Sequence, residues 1–363
     1  MRGEVDPQSS MFHYFSVESR IPADHPLRRV KKLAESALSA ISAEFDGLYA
    51  RTGRPSIPPE RLLKAQLLIA LYSVRSDRLF CEQLDYNLLF RWFLDLDLES
   101  GGLDQSNFSR LRERLVETDI ARRFFDEVVR LARKDKLLSS DHFTVDGTLI
   151  DAWASFKSFK RKDDDEPPKP GDGTGMVDFK GEKRSNATHQ STTDPDAKLM
   201  RKGNGQPAKL SYGGHALMEN RSGLCVDLLI TDATLAEHQA ARQLLTRARR
   251  RKIHPKTLGA DKGYHVKDFV QHLREHKIKP HIARIDGRKT PGLDGRTSCT
   301  EGYKVSQRKR KRVEEIFGWL KTVGGMRKTR FIGEARTQIA AYLSAAAYNL
   351  LRIAKLQSAG SAA

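Results

Sequence analysis

Three carboxylates and two cations in this chain have the types and spacing to work on a phosphate. Arg310, Glu314 and Lys321 lie in RKRKRVEEIFGWLKTVGGMRKT, residues 308–329. If that stretch is helical, positions i, i+4 and i+11 come round to one face, and Val313, Phe317 and Leu320 form an adjoining apolar stripe. A carboxylate among cations suits metal-assisted phosphate chemistry: an anionic oxygen holds a divalent ion, and arginine and lysine neutralise the phosphate. Asp146 sits in HFTVDGTLI, whose β-branched and alternating residues read as a strand, followed by a glycine. Asp261 ends the short apolar run of KTLGADKGYH, which reads as a strand closing in a turn. Strand ends are where open α/β sheets place their chemistry.

Each residue also has a bland reading. Glu314 could simply pair with Arg310 on a solvated basic helix, and Asp before Gly is a common turn residue. Three acids in contexts that can aim them at one point favour chemistry. Clustered, they would repel one another unless divalent cations neutralised them. Oxygen-only ligands favour Mg²⁺ or Mn²⁺, and two such ions about 3.5–4 Å apart could straddle a scissile phosphate. Asp146, Asp261 and Glu314 are therefore the expected catalytic and metal-binding residues, with Arg310, Lys321 and Lys262 holding phosphates.

The composition points to the same kind of partner. The chain has 363 residues, 39% hydrophobic and 30% charged, which suits one large or two medium globular domains. Its formal net charge of +18, from 64 Lys and Arg against 46 Asp and Glu, calls for a polyanion, first of all nucleic acid. No stretch approaches the ~18 uninterrupted apolar residues of a membrane span. MRGEVDPQSS carries no apolar signal segment, so a cytoplasmic protein is expected. Cys81, Cys225 and Cys299 are odd in number and widely separated, neither a disulfide framework nor a zinc spacing.

The elements that must position the acids can be read in outline. Pro26 suits the first turn of a helix through Phe45, and Pro58 and Pro59 open a second helix, apolar on more than one side. A further apolar run from Arg78 to Leu94 is followed by ESGGLDQSN, with Ser106 as the expected cap of FSRLRERLVE. That helix carries Arg110, Arg112 and Arg114, so the front end reads either as a DNA-touching helix-turn-helix or as a small bundle with a charged face. Phe124 to Leu138 is amphipathic and leads to Asp146.

Ser155 to about Thr193 holds few large apolar residues and reads as a flexible excursion whose Asp163, Asp164 and Asp165 are solvated. Two apolar runs flanking Glu219–Gly223 signal a β-hairpin, giving a mixed sheet of at least four strands. A helix from His238 to about Arg251 ends in Arg249, Arg250 and Arg251, a run placed to track a DNA backbone. The last helix, Glu334 to Leu356, reads as core packing.

VDGTLID, LGADKGYH and RKRKRVEEIFGWLK together resemble the three acidic blocks of DDE transposases of bacterial insertion sequences, in the branch with an Arg-x3-Glu-x6-Lys signature. Arg310, Glu314 and Lys321 fit that spacing, while Gln307 stands where the branch usually has tyrosine. The resemblance extends through GRPSIPPERLLKAQLL, DPDAKLMRKG and AAYNLLR, from about Arg51 to Lys355. It implies an α/β fold with an RNase H-like mixed sheet flanked by helices and preceded by a small all-α N-terminal domain. The expected division is residues 1–135 for DNA binding or dimerisation, 136–356 for catalysis with a flexible insertion at about 155–193, and a disordered tail at 357–363.

The implied function is cutting of insertion-element ends and joining of the 3′-hydroxyl to target DNA with two Mg²⁺ or Mn²⁺ ions. Such a protein would work on double-stranded DNA as a homodimer or higher oligomer, in the bacterial cytoplasm with the nucleoid. A sequence-specific DNA-binding regulator would explain the charge but has no use for three acids. A nuclease of the same fold would cleave without joining, and an inactive element-derived protein would do neither.

Overall fold

A computed structural model of the chain describes residues 16–45, 56–162, 184–203 and 205–360. The front of the chain is helical: α1 (Val17–Arg20), α2 (Pro26–Ala40), α3 (Ser42–Phe45), α4 (Pro59–Leu71), α5 (Asp77–Tyr86), α6 (Leu88–Phe93), α7 (Gln105–Arg114) and α8 (Ile120–Lys134). Pro26 occupies the first turn of α2 as expected, but the helix stops at Ile41 and α3 restarts it. α4 is buried nearly all round, including Lys64, which reaches Asp95 and Glu35. The cap of α7 is Asp104, whose carboxylate accepts from the Asn107 N–H at 2.7 Å, and Ser106 instead donates its hydroxyl to Asp104. A carboxylate at a helix N-terminus gains from the dipole as well as from the hydrogen bond, so it outcompetes the serine.

The sheet is built from β1 (His142–Asp151), β4 (Lys198–Met200), β5 (Lys209–Glu219), β6 (Leu224–Asp232), β7 (Thr257–Ala260) and β8 (Lys279–Ile282), while β2 (Phe159–Arg161) and β3 (His189–Ser191) pair apart from it. The order is β4-β5-β1-β7-β8, with β6 paired to β5. β1, β5 and β6 are antiparallel; β1, β7 and β8 run parallel. A three-stranded antiparallel meander extended by two parallel strands on the other side of the first is the RNase H-like arrangement. The hairpin read at Glu219–Gly223 is the β5–β6 turn, where Gly223 takes a positive φ of 69°.

Helices cover the sheet. α9 (Glu237–Arg250) packs on β6, β5 and β1, whereas α13 (Val313–Thr322) lies against β1 and β5. α10 (Lys267–Glu275), α11 (Gly295–Ser298) and α12 (Glu301–Lys309) gather at β8. α14 (Glu334–Gly360) packs on β6 and also on α8, α4 and α2, so the last helix joins the sheet to the helical front. It runs past Leu356 into the expected tail; Gln357 donates to Asp135 at 2.8 Å and Ser358 to the Ala354 carbonyl. Of the expected excursion, the described parts form the β2–β3 pair; Asp163, Asp164 and Asp165 lie outside the described residues, as does the tail beyond 360.

Candidate active site

The site begins where two strands part. β1 pairs with β7 only through His142↔Thr257, Phe143↔Leu258 and Thr144↔Gly259. Asp146 and Asp261 each stand two residues beyond the last pair, so they are in register where β7 ends and β1 runs on to Asp151, paired only with β5. That places them at the carboxyl end of the parallel ladder. The Gly147 N–H donates to Asp146 Oδ1 at 2.8 Å, and the Gly263 N–H donates to Asp261 Oδ1 at 2.8 Å, so backbone amides orient both carboxylates.

Asp146 is partly buried and carries charge with difficulty. Desolvation pushes its carboxyl up to about 6; the Gly147 amide opposes this, the charges of Asp261 and Glu314 add to it, and Arg310 opposes it. Asp261, Arg310 and Glu314 are thus near enough for their charges to act on Asp146. The expected continuous helix is in fact broken: α12 ends at Lys309, residues Arg310–Arg312 form a 3-10 turn, and α13 begins at Val313. The break changes the angular phase, yet Glu314 still falls in the first turn of α13 and Lys321 in its last.

Gln307 explains part of this. Its side-chain amide donates to the His281 carbonyl on β8, and its oxygen accepts from Arg310 Nε at 3.2 Å. It thus steers the arginine toward the acids. Lys321 donates to Thr148 Oγ1 at 2.6 Å, and Thr148 shares the Asp146 face of β1. Desolvation, helped by Lys202 and Arg327 and opposed by Asp151, lowers the lysine below its ordinary value. Glu315, next to Glu314, turns instead to Arg352 on α14 at 3.7 Å. Lys262 is exposed beside Asp261.

The arginines separate into two kinds. Arg251 pairs with Asp126 at 2.5 Å and with buried Asp227 at 3.0 Å, and Arg112 pairs with buried Asp77 while stacking over Phe331. Both are paired with internal acids, where the sequence reading expected them on DNA: buried Asp77 and Asp227 need a cationic partner. Arg249, Arg250, Arg110 and Arg114 are exposed.

One acid has no counterpart in the sequence reading. Glu237, the first residue of α9, sends its carboxylate toward β1 and the Asp261 turn: Oε1 lies 2.8 Å from where a Cβ on Gly147 would stand, and Oε2 lies 3.3 Å from that on Gly263. Desolvation, then the charges of Asp261 and Asp146, push it up to about 7. The hydrophobic pattern starts that helix at His238 and leaves no acid there; the usable signal is a carboxylate opening the helix right after the hairpin's second strand.

Two buried polar atoms near these acids have no hydrogen-bond partner, the Tyr264 hydroxyl and His215 Nδ1. The His215 ring contacts Thr231 through Nε2, and the Thr231 hydroxyl is already spent as donor to the Asp232 carbonyl. Nε2 therefore donates, leaving Nδ1 as an acceptor. The donor set as a whole, carboxylates with adjacent unfilled polar atoms, fits a hard divalent cation. Among the described residues, the only three metal-type donors that come within 4.8 Å of one another are His272, Glu275 and His276 at the end of α10; no three acids of the site come that close together.

Comparison with known families matches residues 15–114 to a "Transposase domain (DUF772)" and residues 179–350 to a "Transposase DDE domain". The chain belongs to the DDE transposases. The second match includes Glu237, Asp261, Arg310, Glu314 and Lys321 and begins after Asp146. Comparison with curated proteins finds no match. Among solved structures, the transposase resembles the piggyBac transposase synaptic complex with hairpin DNA at 12% identity, covering 93% of this chain and 76% of that one, with a TM-score of 0.45. A Mos1 transposase paired-end complex with left transposon end matches at 10% identity over 76% and 81%, with a TM-score of 0.21. No helix among the described residues is long and apolar enough to cross a membrane.

Proposed function

We propose that this transposase cuts the ends of its element and joins the freed 3′-hydroxyl to target DNA at one site built on Asp146, Asp261 and Glu314. The observation that carries this reading is the register of Asp146 and Asp261 just past the last β1–β7 pair, with the charges of Glu314 and Arg310 acting on Asp146. Asp146, Asp261 and Glu314 would hold Mg²⁺ or Mn²⁺, which when bound activates an attacking hydroxyl and stabilises the leaving oxygen. Octahedral ligands at 2.0–2.1 Å lie at most about 4.2 Å apart, so one oxygen from each of three acids spread beyond 4.8 Å does not suit a single ion as they stand. Two ions suit that spread.

The chain's own groups do the rest. The Gly147 and Gly263 amides hold the carboxylates in place, so little reorganisation is needed when a phosphate arrives. Arg310, aimed by Gln307, and Lys321, aimed by Thr148, take the non-bridging phosphate oxygens, with Lys262 at the rim. In the first reaction a water oxygen bonds to phosphorus and the 3′-oxygen departs, taking a proton. In the second, that 3′-hydroxyl loses its proton, bonds to a target phosphorus and displaces the target's 3′-oxygen. No covalent bond to the protein is needed. The exposed Arg249, Arg250, Arg110 and Arg114 can meet backbone phosphates, and since two ends must be brought together the working form is at least a dimer.

Asp146→Asn tests the centre of this. It should abolish strand cleavage while binding of duplex DNA, read by a gel-shift titration, stays within about twofold, because the carboxylate acts on cations and not on DNA. Retained cleavage would remove Asp146 from the mechanism.

A further inference from the structure

Glu237 has no assigned role, yet three independent features converge on its carboxylate. First, the chain makes room for it. A side chain on Gly147 would begin 2.8 Å from Glu237 Oε1 and 3.1 Å from His215 Nδ1, and one on Gly263 would begin 3.3 Å from Glu237 Oε2. These glycines follow Asp146 and Asp261 closely, so the chain beside the two acids is kept bare where the third approaches. Second, Asp261 Oδ1 is 3.1 Å from the same point near Gly263, so the two carboxylates share one small volume. Third, Tyr264 is fully buried, its hydroxyl has no partner, and its ionisation is opposed by burial and by the charges of Glu237, Asp146 and Asp261. An unfilled phenol beside acids is a donor awaiting a ligand-bound oxygen or water.

A structural role for Glu237 is available, since an acid in the first turn of a helix is stabilised by the dipole. That role needs only a negative charge near free amides; it does not need the carboxylate laid against the bare backbone at Gly147 and Gly263, the residues that follow the two acids. Among the described residues, no ion pair or hydrogen bond engages the Glu237 side chain.

We infer that Glu237 is a fourth carboxylate of the site, approaching from the α9 side of the sheet, and shares with Asp146 and Asp261 the holding of the two divalent cations proposed above. This rests on the metal site proposed above. Glu237 closes the side of the cluster opposite α13, while Glu314 and Arg310 close the other. Gly147 and Gly263 are required because any larger residue displaces its oxygens.

Manganese binding to the full-length protein tests this without DNA or turnover. Mn²⁺ titrations by calorimetry on the wild type, Glu237→Gln and Asp146→Asn should show affinity lost in Asp146→Asn and lowered about ten- to hundredfold in Glu237→Gln, the cost of losing a supporting group at a metal site. Without metal, Glu237→Gln should melt at or above the wild-type temperature because a repelled carboxylate has gone, and Mn²⁺ should raise its melting temperature less. Wild-type Mn²⁺ affinity in Glu237→Gln, with a lower metal-free melting temperature, would overturn the inference and leave a helix-terminus role. Equal affinity in wild type and Asp146→Asn would remove the metal site itself, and Glu237's place in it. If Glu237→Gln fails to fold, Gly147→Ala carries the test: its methyl meets the end of the Glu237 side chain first, at 2.8 Å, and the His215 ring at 3.1 Å. Weaker Mn²⁺ binding there is expected, and unchanged binding overturns the proposal.

Discussion

Asp146 carries an electrostatic cost that a bound cation would remove. In the folded protein its carboxyl titrates at about 6 against an ordinary 3.8, chiefly through desolvation. The native state then keeps its proton to higher pH than the unfolded chain. Stability attributable to this group is complete below about pH 4, falls as pH rises toward 6, and is level above that. Asparagine mimics the protonated acid and escapes the loss. In chelator, denaturant titrations of Asp146→Asn and wild type should agree near pH 4 and diverge by about 2–3 kcal/mol in the variant's favour by pH 7. A constant difference across that range would mean that Asp146 is not strained.

Residue identities were legible to different depths. Asp146 and Asp261 stood out because each sits in a strand pattern followed closely by glycine. Gly147 was read as a glycine that allows close approach and Gly263 as part of a turn, but that both give clearance to Glu237 is a contact between distant segments that no local pattern encodes. For the same reason Arg251 and Arg112 looked like their exposed neighbours; the partners that claim them, Asp126, Asp227 and Asp77, lie far away in the chain.

At the scale of elements, α9 links two regions with different work. Glu237 opens it at the acids, and Arg249 and Arg250 end it about 20 Å away at 1.5 Å per residue. The basic end cannot touch the reacting phosphate, but it can grip a duplex that runs past the site. Reversing both charges, Arg249→Glu with Arg250→Glu, should weaken duplex binding and reduce the slope of log affinity against log salt by about 0.9 for each phosphate that is no longer neutralised. An unchanged slope would return these arginines to plain solvated surface. Arg251 must be left alone, because removing it strands Asp227 in the core.

The hairpin, the strand ending at Asp261 and the long last helix were visible in the hydrophobic pattern. The break at Arg310–Arg312 was not: a basic run of good helix formers gives no stop signal, and the turn follows from packing α12 on β8 and α13 on β1. The Asp104 cap lies two residues before the serine that the sequence favours, a boundary error of the size that helix ends usually allow.

Across the whole molecule the helical front and the sheet are locked together. α14 packs on both, and Asp77 on α5 accepts from Ser109 at 3.0 Å, pairs with Arg112 on α7 and pairs with Arg330 before α14 at 3.1 Å. Arg336 on α14 reaches Glu113 at 2.6 Å. Asp77→Ala leaves two partly buried guanidinium groups, both over the Phe331 ring, without their shared carboxylate, and should cost roughly 3 kcal/mol or more in a denaturant titration. A loss under about 1 kcal/mol would show that the two regions hold together without it. This stitching explains why the sequence divides the chain at residue 135 while the final helix serves both sides: α14 repeats apolar and small residues on several faces, and a sequence does not say which partner each face will meet.

The central claim is that one metal-dependent site both cuts and joins DNA. It is tested most directly by incubating the protein with a labelled duplex carrying the ends of its element and with target DNA, in Mg²⁺ and in chelator. Nicking at the element ends together with joined products in Mg²⁺, and neither in chelator, is the expected result. Tight binding with no cleavage in either condition, or cleavage that survives the chelator, would contradict it.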